Sequence, residues 1–213
     1  RSRKLGEQNK SLKIVELGPG TEYSNYLDEE TDSNLLFQSR PLSDQAAFFH
    51  TGGTTSSPKI AVLTIGNIIN SVSMLQNYLR YSAEDVFVSP LPLFHIAGAV
   101  VAGLAPVLSG AHLVMLAPAG LRDPAVLNQF WATISFFKAT IMVAVPTSLT
   151  ALSEVSVGSS DISSLEYVLT GTATLLTETA LRFTEHTGKR VYPGYGMTEA
   201  AGSLAFSPRG TIP

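Results

Sequence analysis

Short runs of consecutive apolar residues alternate along this chain with stretches in which apolar side chains recur every three to four positions. The runs at 86–88, 112–116, 140–145 and 165–169, and a last one at 190–192, predict strands. Between them, Ile68, Ile69, Val72, Leu75 and Leu79 fall on one helical face behind Asn67, a good N-cap. Residues 96–108 predict a helix of small apolar residues. Asp123 caps a helix opened by Pro124 that carries Val126, Leu127, Phe130, Ile134 and Phe137 inward. Two more helices follow, near 148–153 and over 177–187, the second stopped by Gly188.

Earlier in the chain, residues 12–17 read as a strand closed by Gly18-Pro19-Gly20, and 21–39 as an acidic, solvated helix and connector. Residues 46–49 and 61–63 predict two short strands, the first buried, on either side of a glycine loop. The organisation expected is an opening strand and connector over 1–45 and a core over 46–213. Trp131 and Met115 are expected in its interior. Apolar strands alternating with amphipathic helices imply an α/β fold, with mostly parallel sheets flanked by helices and joined by right-handed crossovers. Ligands of such sheets sit outside the carboxyl ends of the strands. His95, Gly171, Tyr195, Thr198 and Glu199 all fall at those ends.

Composition narrows the field. The chain has 213 residues, 45% of them hydrophobic, which is ample for a buried core. Lys+Arg number 14 against 17 Asp+Glu, with no dense basic block beyond residues 1–4, so nucleic acid is not an expected partner. With no cysteine there is no disulfide, thiolate zinc site or cysteine nucleophile, and a cytoplasmic setting fits. No charged residue occurs from Val86 to Leu121, yet prolines and glycines break that run. Its best helical piece would rise only about 20 Å against a hydrocarbon core of about 30 Å, so no transmembrane segment is expected.

The most unusual stretch is Thr51-Gly52-Gly53-Thr54-Thr55-Ser56-Ser57-Pro58-Lys59. Backbone N–H groups freed at Gly52 and Gly53, with the hydroxyls of Thr54, Thr55 and Ser56, could face a polyphosphate, and Lys59 adds a compact charge. An ordinary polar surface loop has the same composition. It is not the nucleotide loop that ends Gly-Lys-Ser/Thr, because Pro58 precedes the lysine and Ile60 follows it.

Taken with Pro92-Leu93-Phe94-His95 and Tyr195-Gly196-Met197-Thr198-Glu199 in this order, the loop resembles that of the adenylate-forming superfamily of acyl-CoA synthetases, luciferases and adenylation domains. Within it, the stretch 48–199 looks most like bacterial fatty-acid or medium-chain acyl-CoA synthetases. The resemblance implies a two-step reaction. ATP and a carboxylic acid, here expected to be a fatty acid, give an acyl-adenylate and pyrophosphate, and the acyl group then passes to coenzyme A. It implies that Thr51, Gly52, Gly53, Thr54, Thr55, Ser56 and Lys59 hold the β- and γ-phosphates, and that Thr198 reaches the α-phosphate. It further implies that Glu199 holds Mg2+, and that Tyr195, beside Gly196, stacks on adenine, with Gly171, Thr172 and Ala173 lining the base. His95 would border the acyl carboxylate, unless it only fixes the start of a helix. Ile96, Ala97, Gly98 and Val100 suggest an apolar acyl pocket nearby.

The chain departs from the family pattern at Ser56 and Ile60, where glycines stand, at Thr174, where proline is common, and at Ile65, where histidine often sits. These departures leave room for a non-catalytic nucleotide-binding or scaffold homologue. The resemblance also implies a further aspartate, an arginine and a small lid domain with a catalytic lysine, none of which these residues contain. The 213 residues are therefore expected to be inactive alone and to self-associate through exposed apolar surface.

Overall fold

The computed structural model describes residues 39–51, 59–117 and 119–207. The expected strand at 12–17, all but the end of the acidic connector, and Gly52, Gly53, Thr54, Thr55 and Ser56 lie outside the described residues. The elements below fall in one compact unit that begins at Pro41.

A six-stranded sheet carries the fold. Its strands are β3 (Val86–Ser89), β4 (His112–Met115), β5 (Ile141–Ala144), β6 (Tyr167–Thr170), β7 (Val191–Met197) and β8 (Gly202–Phe206), in the order β4-β3-β5-β6-β7-β8. The first five are mutually parallel and β8 pairs antiparallel with β7 at one edge. Along β5 and β6 every side chain is buried, and successive residues feed opposite faces. Ile141, Tyr167 and Leu169 join Leu75, Phe87 and Val100 in one core; Met142, Val168 and Val191 join Phe130, Trp131 and Phe183 in the other. Burial on both faces is why these strands read as unbroken apolar runs. Trp131 satisfies its indole N–H by donating to Val155 O at 3.0 Å.

The helix α1 (Ile65–Leu79) is as amphipathic as its spacing predicts, but its N-cap is Thr64. Thr64 N–H donates to Asn67 Oδ1 at 3.0 Å and Asn67 N–H to Thr64 Oγ1 at 3.2 Å, a capping box that puts Asn67 three residues inside. Ile69, expected inward, is exposed. Residues 97–108 form a π-helix (Ala97–Leu104) running into α2 (Ala105–Leu108). Gly98 is obligatory there, since a Cβ would stand 2.1 Å from Pro92 O.

The helix expected over 124–137 is two, α3 (Pro124–Asn128) and α4 (Phe130–Phe137), broken at Gln129, and Phe137 is exposed. Asp123 is the N-cap, accepting from Ala125 N–H at 2.9 Å. After β5, α5 (Pro146–Leu152) starts on its proline; α6 (Thr177–Thr187) ends at Gly188, whose φ is +69°. Met115 is 44% exposed rather than core, because β4 is the edge strand and its last side chain has no neighbour beyond it.

β1 (Gln45–His50) and β2 (Ile60–Thr64) pair with each other as a separate antiparallel hairpin, with His50 opposite Ile60. The expectation that 46–49 is buried fails: Phe48 is 62% exposed, since a two-stranded ribbon has one covered face, which Leu63 and Phe49 supply. Among the described residues no helix is long and apolar enough to cross a membrane.

Candidate functional site

A cavity of about 430 Å³ opens at the carboxyl ends of the parallel strands, between the hairpin and β7. Its lining includes Thr51 from the end of β1, His95 from the segment before the π-helix, Gly171 and Thr172 just past β6, Tyr195 and Gly196 on β7, and Thr198 and Glu199 beyond it. All of these are residues the sequence singles out. Ile96 and Ala97 line it too, whereas Gly98 and Val100, expected with them, are buried and do not.

Two features hold the hydrophilic side of the cavity in place. The ends of the glycine loop are tied, because Thr51 N–H donates to Lys59 O at 2.9 Å. The 3₁₀ turn Thr198–Ala200 lies against β2 and is fastened to α1 by Ser71 Oγ, which donates to Ala201 O at 2.9 Å. Thr198 is thereby buried, at 8% exposure, while Glu199 reaches solvent at the rim. The base of the loop and the Thr198-Glu199 corner therefore border one space. Lys59 lies at the foot of the hairpin and lines neither this cavity nor the cleft beside it.

His95 is exposed. Its Nδ1 accepts from Ala97 N–H at 3.1 Å, which fixes the start of the π-helix and leaves Nε2 to carry the ring proton. It both caps a helix and lines the cavity.

Tyr195 is 63% exposed and separates the cavity from a second cleft of about 530 Å³, lined also by Thr172, Ala173, Thr174 and Pro193. Its flanking glycines have a steric reason. A Cβ at Gly194 would meet the Phe206 ring at 2.9 Å, and one at Gly196 would stand 1.8 Å from Gly202 O. They are required by β8, which the sequence analysis did not find. The last strand, expected to end at 192, runs over 191–197 for the same reason.

The far wall of the cavity is apolar, built by Leu91, Ile96, Val101, Val143, Leu169 and Phe206. Apart from Ile96, these escaped the sequence reading because they are interchangeable with core residues in type. For Val143 and Leu169, position near the ends of β5 and β6 is the signal that could have found them.

This arrangement is that of an α/β ligand-binding domain with a polar rim, a free aromatic ring and an apolar end. The model of the AMP-binding enzyme family matches residues 2–212, and the chain belongs to that family. It is 37% identical over 162 residues to a marinolic acid–CoA ligase of Pseudoalteromonas sp. (strain SANK 73390), covering 73% of this chain and 25% of that one. Among solved structures, ATP-bound MatB from Rhodopseudomonas palustris matches with a TM-score of 0.71 at 28% identity, over 81% of this chain and 33% of that one. The anthranilate CoA ligase AuaEII in complex with anthranoyl-AMP matches with a TM-score of 0.72 at 25% identity, over 81% and 33%. The chain thus spans about a quarter to a third of the length of these relatives.

Proposed function

We propose that this chain supplies the nucleotide and acyl sites of an AMP-forming acid–thiol ligase. In that reaction a carboxylate oxygen attacks the α-phosphorus of ATP, the bond to the bridging oxygen breaks and pyrophosphate leaves. The sulfur of coenzyme A then takes the acyl group, releasing AMP and its thiol proton. The observation that carries the reading is the single cavity bordered by the base of the glycine loop, His95, Tyr195, Thr198 and Glu199. Bringing one anion onto another is a problem of charge neutralisation and alignment, and those residue types answer it.

Thr51, the loop residues that follow and Lys59 bind the β- and γ-phosphates, and the Thr198 hydroxyl orients the α-phosphate. Tyr195 offers its exposed ring to adenine. His95 Nε2 donates to the acid's carboxylate. The apolar wall favours an acid with an apolar body, a fatty acid being the simplest case. Glu199, the one carboxylate among the described residues of the lining, would hold a magnesium ion. An ion that keeps several waters and shares substrate phosphates needs no more. When bound, it would offset phosphate charge. The relatives' names support coenzyme A as acceptor, and the lack of cysteine suits a cytoplasmic setting.

Calorimetry with AMP and with a stable acyl-adenylate analogue tests the reading; heat is expected from both. Silence for both would favour the scaffold alternative to which Ser56 and Ile60 point.

A further inference from the structure

Thr170 closes β6 at the junction of the two clefts and lines both. It is 1% exposed, and its hydroxyl has no hydrogen-bond partner. Its neighbours explain why. In register with it stand Ala144 on β5 and Pro193 on β7. Alanine has no polar side chain, proline has no N–H, and Pro193 O already accepts from Ser207 N–H at 3.1 Å. A buried hydroxyl without a partner weakens a fold, so one kept at a site calls for a ligand that supplies the bond.

The side of the sheet tells which ligand. Leu169, on the first cavity's apolar wall, belongs to the core on one face of the sheet, whereas Val168 belongs to the core on the other. Alternation puts Thr170 with Val168 and away from that wall. On its side lies the second cleft, with Tyr195 as the shared partition. Two residues on, Thr172 has φ +70°, a left-handed conformation that a β-branched side chain rarely takes and that gathers at ligand clamps.

We propose that Thr170 is a specificity-determining residue whose hydroxyl hydrogen-bonds the polar edge of the nucleotide base that lies against Tyr195. This rests on the nucleotide reading of the site. The base is a flat heterocycle with both donors and acceptors on its edge, and a rotatable hydroxyl serves either.

The test is Thr170→Val, which keeps the shape and removes the hydroxyl, with AMP and pyrophosphate as calorimetric probes on the full protein. The variant should bind AMP about 2- to 12-fold more weakly, the worth of one neutral hydrogen bond. It should bind pyrophosphate, which has no base, unchanged, and without ligand it should melt higher than the parent. Thr170→Ser should restore AMP affinity. Unchanged AMP affinity in Thr170→Val, or equal weakening of pyrophosphate, overturns the proposal alone. So does a variant that melts lower or fails to fold, since the hydroxyl would then have a partner inside the protein. Failure of the unaltered protein to bind AMP overturns the nucleotide reading itself.

Discussion

Tyr195 stands more than half in solvent on a strand whose neighbours are tightly placed, and that contrast sets the residue-scale predictions. Removing the ring with Tyr195→Ala should weaken AMP by about 1–3 kcal/mol, the usual worth of an aromatic under a base, with little change in melting temperature. Fluorescence or calorimetric titration would show it. Thr198→Val and Glu199→Gln in the full-length protein should each lower the rate of adenylate formation by about 100-fold, read by pyrophosphate release. Away from the site, the side chain and then the backbone N–H of Ser163 hydrogen-bond the Asp161 carboxylate and hold its pKa below the ordinary value. A depressed folded pKa stabilises above the unfolded value, and the benefit disappears as pH falls through the folded one. Asp161→Asn should therefore flatten the acid limb of a melting curve below about pH 4, a change seen by circular dichroism.

Strand and helix ends were the least legible part of the chain, and the misses share a cause. The elements whose apolar pattern comes from burial on both faces, β3, β5 and β6, stand where their runs predict. β8 did not announce itself, because Gly202 and Ser203 open it and a proline follows its short apolar end at 204–206, so its pairing with β7 is what marks it as a strand. Thr64 and Asn67 both suit an N-cap; the reciprocal bonds decide between them. The candidate site was more legible than the elements around it, since residues such as His95, Thr198 and Glu199 are chemically conspicuous even when their backbone setting is misread. Thr170 was not, because a threonine at a strand end is unremarkable until its neighbours are known. Two glycines give element-scale tests. Gly188→Ala has open space but a positive φ and should cost about 1 kcal/mol in thermal or urea unfolding. Gly196→Ala would set a Cβ against Gly202 O and should unpair β8, costing more than that and losing AMP binding as well.

At the scale of the molecule, a parallel sheet presents a floor, and β8 and the segment around the start of the π-helix, with Thr51 just past β1, turn its carboxyl edge into a cavity. The helix face carrying Leu104, Val107 and Leu108 is exposed. Such a surface predicts self-association of the 213-residue chain, visible as an early, concentration-dependent peak in size-exclusion chromatography. The same chain, at a quarter to a third of its relatives' length, should release no pyrophosphate from ATP and acid by itself.

Whether one nucleotide bridges the glycine loop and the Tyr195 corner is tested most directly by parallel calorimetric titrations of ATP and AMP against Lys59→Ala and Tyr195→Ala. Lys59→Ala should weaken ATP by about 10- to 100-fold and leave AMP nearly untouched, while Tyr195→Ala weakens both. Equal loss of ATP and AMP in Lys59→Ala, or indifference of both nucleotides to Tyr195→Ala, would contradict that bridge.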